Sequence, residues 1–352
     1  MLKRIVSGLV LGGMLLTLAS FTAAPRVRQG ETAPEEVVVA TEAKEIEEEY
    51  LPVIGWFWKR DTMTYWIHEG AWQVSGQDTV KTLGLSTKVQ VTVTDSTKHR
   101  YRMEYRFLEF AIDSTAESWA QDWVRSAVGK LQQQVVGTAI RFRTDEFGRI
   151  VKYDNLGAVR KQARKVLADV VRDLPGIDSL VPPGMDMKDV VRGVDADALV
   201  NGYIEELEML FRCHGNQYQI GEFTEHSDET DTEYASDTYV MANLDPETYE
   251  YELLFDVYSY IPREDLKSLL GELIELFADE KMEADLLKSE LDAGFDEQVT
   301  EDAVNNSCFY LQYFPDGWPR EVIYQEGVTI GDRGKLKQTY IEWDYRSVGH
   351  TN

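Results

Sequence analysis

Cys213 and His214 are the residue types closest to a catalytic pair, but their spacing defeats them. A thiolate nucleophile needs its base within hydrogen-bond reach. Neighbours on a helix diverge by about 100°, so a cysteine hydrolase is disfavoured. "HEGAW" at His68 supplies one histidine where a zinc protease needs two, one helical turn apart, and it lies in a strand-like run. "GDRGKLKQT" has the glycines of a phosphate loop without the Gly-Lys-Ser/Thr ending or a following helix, and neither a nucleophile elbow nor a dinucleotide glycine pattern occurs. His226, Asp228, Glu229 and Asp231 could gather a divalent cation, yet their spacing matches no calcium loop, and acids such as Glu250 and Glu252 fit the wet face of a strand. Scattered carboxylates such as Asp145 or Glu104 leave a hydrolase as the least favoured reading. The chain reads as a non-enzyme, with no catalytic residue, metal ligand or cofactor assigned.

Aromatic surplus remains. Trp56, Trp58, Trp66, Trp72, Trp119 and Trp123 crowd the first half, and Tyr101, Met103, Tyr105 and Phe107 share one parity of a single strand. Most such side chains form core. A curved sheet covered by a helix bearing two tryptophans also builds an apolar cleft. Tyr101, Met103, Tyr105, Phe107, Trp119 and Trp123 are therefore the candidate ligand-binding residues.

The elements that must position them follow from periodicity. Leu85, Thr87, Val89, Val91 and Val93 alternate with polar residues, and after "DSTKH" the alternation resumes from Tyr101, which predicts a long antiparallel hairpin. Leu108, Phe110 and Ile112 then change parity, so a bulge near Phe107 or burial of both faces is expected. "DTMTYWIHEG" joins the same sheet. Ser114 and Glu117 form a capping box for an amphipathic helix through Trp119, Trp123, Ala127 and Leu131. "RFRTDEFGRIVKYDN" is a hairpin ending at Asn155, placed to cap a second helix with Leu156, Val159, Ala163 and Val166 on its apolar stripe and Arg160, Lys161, Arg164 and Lys165 on a solvated face. After the break "IDSLVPPGMDMK", Leu199 to Phe211 outline a third helix ending at His214-Gly215.

The second half retraces the first. "QIGEFTEHSDET" echoes "VIGWFWKRDTMT", a second alternating hairpin turns at Asp245, a helix starts after Pro262, and "YFPDGWPREVIY" echoes the hairpin at 141–155, aligning Asp316 and Arg320 with Asp145 and Arg149. Sheet, helix, hairpin thus occurs twice, which suggests an internal duplication. Turn chemistry accounts for the shared Asp and Gly positions better than a repeated active site does. The last run, "GVTIGDRGKLKQTYIEWDY", adds two strands.

Residues 1–24 place Lys3 and Arg4 before an apolar run ending in small residues, the pattern of a secretory signal, with a retained anchor as the alternative. The chain carries 36 Lys+Arg and 62 Asp+Glu, and loss of Lys3 and Arg4 takes the net charge from −26 to −28. That excludes nucleic acid as a partner, and no stable membrane span remains after signal removal. Residues 25–50 read as a flexible acidic linker, 51–213 as a first lobe, 214–346 as a second, similar lobe and 347–352 as a tail. Cys213 and Cys308 in an exported chain permit a disulfide; two buried free thiols are the rival reading.

In its order of elements, its paired Asp/Gly hairpins and its "DGWP" turn, the chain resembles the periplasmic lipoprotein-carrier (LolA-like) half-barrel, and uncharacterised exported proteins of Gram-negative bacteria built on it. The resemblance implies an α+β fold with a curved antiparallel sheet, half-barrel-like and covered by amphipathic helices. It implies location in the periplasm or cell envelope and an apolar ligand, such as an acyl chain, or a lipidated protein as partner. An envelope scaffold acting through protein contacts is the alternative.

Overall fold

Alternation at period two dominates the sequence, and in the computed structural model it becomes one sheet. The structure describes residues 49–349 apart from Gln77, 113–128, 130–132, 173–195, 231–233, 269–287, 290–294 and 296–298. Strands β1 (Tyr50–Pro52) and β7 (Gln217–Gln219) form a short antiparallel ribbon. The remaining strands are β2 (Thr62–Ser75), β3 (Asp78–Thr97), β4 (Arg100–Ile112), β5 (Ala139–Asp145), β6 (Ile150–Tyr153), β8 (Gly221–Ser227), β9 (Ser236–Leu244), β10 (Tyr251–Ile261), β11 (Ala303–Tyr313), β12 (Pro319–Ile330) and β13 (Arg333–Ser347). They pair in the order β6-β5-β4-β3-β2-β13-β12-β11-β10-β9-β8, an open, 11-stranded sheet in which every pairing is antiparallel. Residues 51–213 and 214–346 therefore contribute to a single sheet, joined where β2 pairs with β13.

The first half is a five-strand meander and the second a six-strand one, and in each the long connection falls between the third and fourth strands, at 113–138 and 262–302. The bulge expected near Phe107 is present: Lys88 and Val89 face Glu109 and Phe107, leaving Leu108 as the extra residue. It returns both Phe107 and Phe110 to the buried side. The tryptophan helix lies outside the described residues, as does most of the helix after Pro262.

Two helices are described, α1 (Leu156–Arg172) and α2 (Ala196–Phe211). Asn155 does not use its side chain as an α1 cap. Its Oδ1 accepts from Arg141 N–H and its Nδ2 donates to Ala139 O, tying the helix start to β5. On α2, Val200, Tyr203, Leu207, Leu210 and Phe211 are buried at helical spacing.

The position of α2 dictates the shape of the sheet. Tyr153 of β6 donates to Glu208 on one side of the helix, and Arg212, just past its C-terminus, lies over the Phe309 ring of β11. In a flat sheet β6 and β11 are seven strand spacings apart, roughly 34 Å, whereas a helix is only about 10–12 Å across. The sheet must curl strongly, with α2 in its concavity. One hydrophobic core runs from β5 through β2 and β13 to β10, with α2 at its centre.

Candidate functional site

The concave face is stratified along the strands. Near one end it is apolar, with Met63, Tyr65, Val91, Met103, Phe142, Tyr313 and Ile341 all at most 1% exposed. Further along the same parity the residues become polar: Glu69 on β2, Lys337 on β13 and Glu326 on β12, with Glu326 and Lys337 directly opposite one another. Into this belt α2 inserts Glu206, which is 5% exposed. Its Oε2 accepts a 3.0 Å hydrogen bond from the Tyr105 hydroxyl.

Burial holds the Glu206 carboxyl well above the ordinary carboxylate range, and the charge of Glu69 pushes it further; Lys337 works in the opposite direction. Burial likewise raises Glu69, offset in part by Lys337. Burial of the Tyr105 phenol beside Glu206 keeps it protonated. The arrangement thus favours the protonated carboxylic acid, bound by a phenol inside an apolar shell. Tyr105→Phe removes the donor and leaves Glu206 buried without it. We expect a loss of about 1–2 kcal/mol in urea denaturation at pH 6; an unchanged midpoint would show that the hydrogen bond contributes nothing.

The apolar end is closed by residues 53–61, which run across the hairpin tips as a strap. Gly55 N donates to Phe147 O and Trp56 N to Asp316 O, so the two echoing Asp/Gly hairpins meet on adjacent residues of one segment. Their likeness serves this junction. Asp145 Oδ1 accepts from Phe147 N and Arg149 N, and Arg149 donates to Gly215 O beyond α2. Arg320 instead pairs with Glu250, and Asp316 with Arg346. Phe57 turns inward against Trp318, Tyr101 and His214, at 4.4, 5.1 and 5.9 Å between ring centroids. His214 Nε2 lies 2.9 Å from Gly317 O, so that nitrogen carries the proton. Burial lowers its pKa to about 4, and the ring is a neutral structural donor.

Of the candidate ligand residues, Tyr101, Met103, Tyr105 and Phe107 do share the concave face. Each is at most 9% exposed, however, with Tyr101 under the strap, Tyr105 bonded to Glu206 of α2 and Phe107 against Tyr203 at 4.6 Å. Trp119 and Trp123 lie outside the described residues. Cys213 and Cys308 are free thiols, so the permitted disulfide is not formed. Strand alternation explains why: Phe309 and Leu311 face the core, so Cys308 points out of the convex face beside Asp256, while Cys213 is buried beneath the concave one. Burial raises the Cys213 thiol to about 11, which removes it further from nucleophilic chemistry.

Asp145 and Glu104 are spent on the turn and on Arg106 and Arg141 respectively. His226 pairs with Asp237 and Asp228, and no group of three acidic, histidine or cysteine side chains is placed to hold a metal among the described residues. Glu206, Glu69 and Lys337 escaped the sequence reading. The signal for Glu206 was its place three residues after Tyr203 and four before Leu210 on the buried stripe of α2.

No protein family and no curated protein matches the sequence. Among solved structures, one described as lipid-protein interactions in lipovitellin aligns with a TM-score of 0.32 and 9% identity over 84% of this chain, which spans 26% of the lipovitellin chain. An outer membrane channel from Pseudomonas putida F1 aligns with a TM-score of 0.13 and 6% identity over 86% of this chain and 100% of the channel. No described helix is long and apolar enough to cross a membrane. Both similarities are too low to carry a statement about fold or function.

Proposed function

We propose that this is an exported, non-enzymatic binding protein of the Gram-negative envelope that takes an apolar, lipid-like chain, free or attached to a partner protein, onto the concave face now occupied by α2. One observation carries the reading: a single amphipathic helix fills the described apolar concavity, and its inward side bears Glu206. An ionisable residue on a core-filling face weakens the seat of that helix, because ionisation there is costly. An apolar chain contacting Tyr105, Phe107 and Leu253 replaces the burial that α2 gives up when it shifts, so ligand and helix compete for one surface.

The test is titration of purified protein with a fluorescent fatty-acid analogue, wild type beside Glu206→Leu. Saturable binding is expected, weakened at least about tenfold in the variant, where an apolar side chain seats α2 more firmly. No binding by wild type, together with ligand-free protein in native mass spectrometry after purification from its own envelope, would reject the reading.

A scaffold acting through protein contacts draws on a different feature. Alternation along the strap turns Trp56 and Trp58 outward, 64% and 55% exposed. Paired aromatics on a fixed segment are the kind of anchor that protein interfaces use. Trp56→Ala/Trp58→Ala leaves fatty-acid binding intact if the concave face is the site, and abolishes partner capture from envelope extracts if the strap is.

A further inference from the structure

The two rims of the open sheet carry opposite charge. On the convex side of β4, β5 and β6, Arg102, Arg143 and Lys152 occupy opposed positions on adjacent strands. At the far rim, β8 and β9 carry Glu222, Glu225 and Asp237 and no Lys or Arg. No described strand pairs with the outer side of either β6 or β8. An unpaired strand is a template for another strand, and natural edges are usually blocked by charge that repels a second copy. Here each rim repels its own kind and attracts the other.

Shape agrees with charge. Beside β6 runs a groove of 310 Å³, floored by Phe211 and lined by Val151, Arg149, Lys152, Arg212 and Glu208. β8 is exposed along almost its whole length. Its register with β9 sets Phe223 opposite Val240 and Gly221 opposite Ala242, which is core. Phe223 and Glu225 therefore share the concave parity, and Glu222 and His226 the convex one. Phe223 is 39% exposed, a large apolar side chain on a strand that covers little else.

We propose that the chain assembles head to tail, β8 of one copy adding to the β6 edge of the next. Phe223 then enters the groove above Phe211, Glu225 meets Arg149 and Arg212, and Glu222 meets Lys152. The contact is heterologous, since the surface used by one copy differs from that used by its neighbour, so it propagates into a short chain of subunits or closes into a ring. β6 offers only four residues, which makes the interface small and the assembly weak, dependent on concentration and sensitive to salt. This inference is independent of the ligand reading.

Sedimentation velocity of the mature protein tests it. Wild type is expected to shift to larger species with rising concentration at low salt and to dissociate at about 0.5 M NaCl, where screening is strong. Glu222→Lys/Glu225→Lys spoils one rim and Val151→Glu/Lys152→Glu the other, all at exposed positions, and each variant alone should stay monomeric. Mixed in equal amounts they should associate again, because each retains one intact rim and the two reversed rims are themselves complementary in charge. A wild type that stays monomeric throughout, either variant still associating by itself, or a mixture that stays monomeric would each overturn the proposal.

Discussion

Alanine at Gly317 is expected to destabilise the protein by more than about 3 kcal/mol, through one methyl group. Gly317 has φ +83°, a region that costs other residues about 1–2 kcal/mol. A Cβ there would also lie 2.2 Å from the Ile54 carbonyl oxygen and 3.0 Å from Gly55 Cα. Both are backbone atoms of the strap, so no rotamer change relieves the clash. The turn or the strap has to move, and either movement pulls Gly317 O from His214 and disturbs the fully buried Trp318 against Phe57. Gly202 is the control. It lies inside α2, where a Cβ meets nothing within 4 Å, and alanine there should stabilise by about 0.5–1 kcal/mol by restricting the unfolded backbone. Urea denaturation of both variants reads the contrast. A Gly317→Ala protein within about 1 kcal/mol of wild type would mean that the strap does not seal this end as described.

Local periodicity carried far in this chain and stopped at a definable place. The alternation through Leu85–Val93 and Tyr101–Phe107, the parity change at Leu108 and the stripe of α2 each arise within a dozen residues, and each has its expected structural form. The pairing of β2 with β13 joins residues such as Ile67 and Ile341, and no local pattern encodes contact over that separation, so the sequence leaves open whether the two lobes share one sheet. The same distance hid the role of α2. Its apolar stripe predicts a helix packed on something, but whether it covers a cleft or fills one depends on how far the sheet curls. Only the simultaneous contacts of Tyr153 with Glu208 and Arg212 with Phe309 decide that. Tyr101, Met103, Tyr105 and Phe107 fall on one face because strand parity is local. Their burial, Phe107 against Tyr203 and Tyr101 against Phe57, is not local. Asn155 shows the limit in miniature: the residue type suits a cap, but its side chain reaches back to β5.

Glu206→Gln should stabilise the protein increasingly as pH rises above the ordinary carboxylate range. The folded state holds the Glu206 proton more tightly than the unfolded chain does, chiefly because the carboxyl is buried and Glu69 is near. Above the ordinary carboxylate pKa the unfolded chain has released that proton while the folded state retains it. Each further pH unit then costs about 1.4 kcal/mol of stability, until the folded-state pKa is passed. The contribution is fully present below the unfolded pKa and is lost as pH rises through that window. Glutamine cannot ionise, yet it keeps an oxygen to accept from Tyr105, so the variant lacks this slope while the hydrogen bond survives. Urea midpoints at pH 4.5, 6 and 8 should nearly coincide for the two proteins at the lowest pH and separate above it. Glu69→Gln should narrow the gap, because it removes the charge that raises Glu206. Parallel stability curves across this range would refute the buried neutral acid, and with it the reason for regarding α2 as the weakly seated element of the concave face. If the curves diverge, fatty-acid binding by wild type should strengthen over the same pH interval, because ionisation of Glu206 favours the state in which α2 has withdrawn.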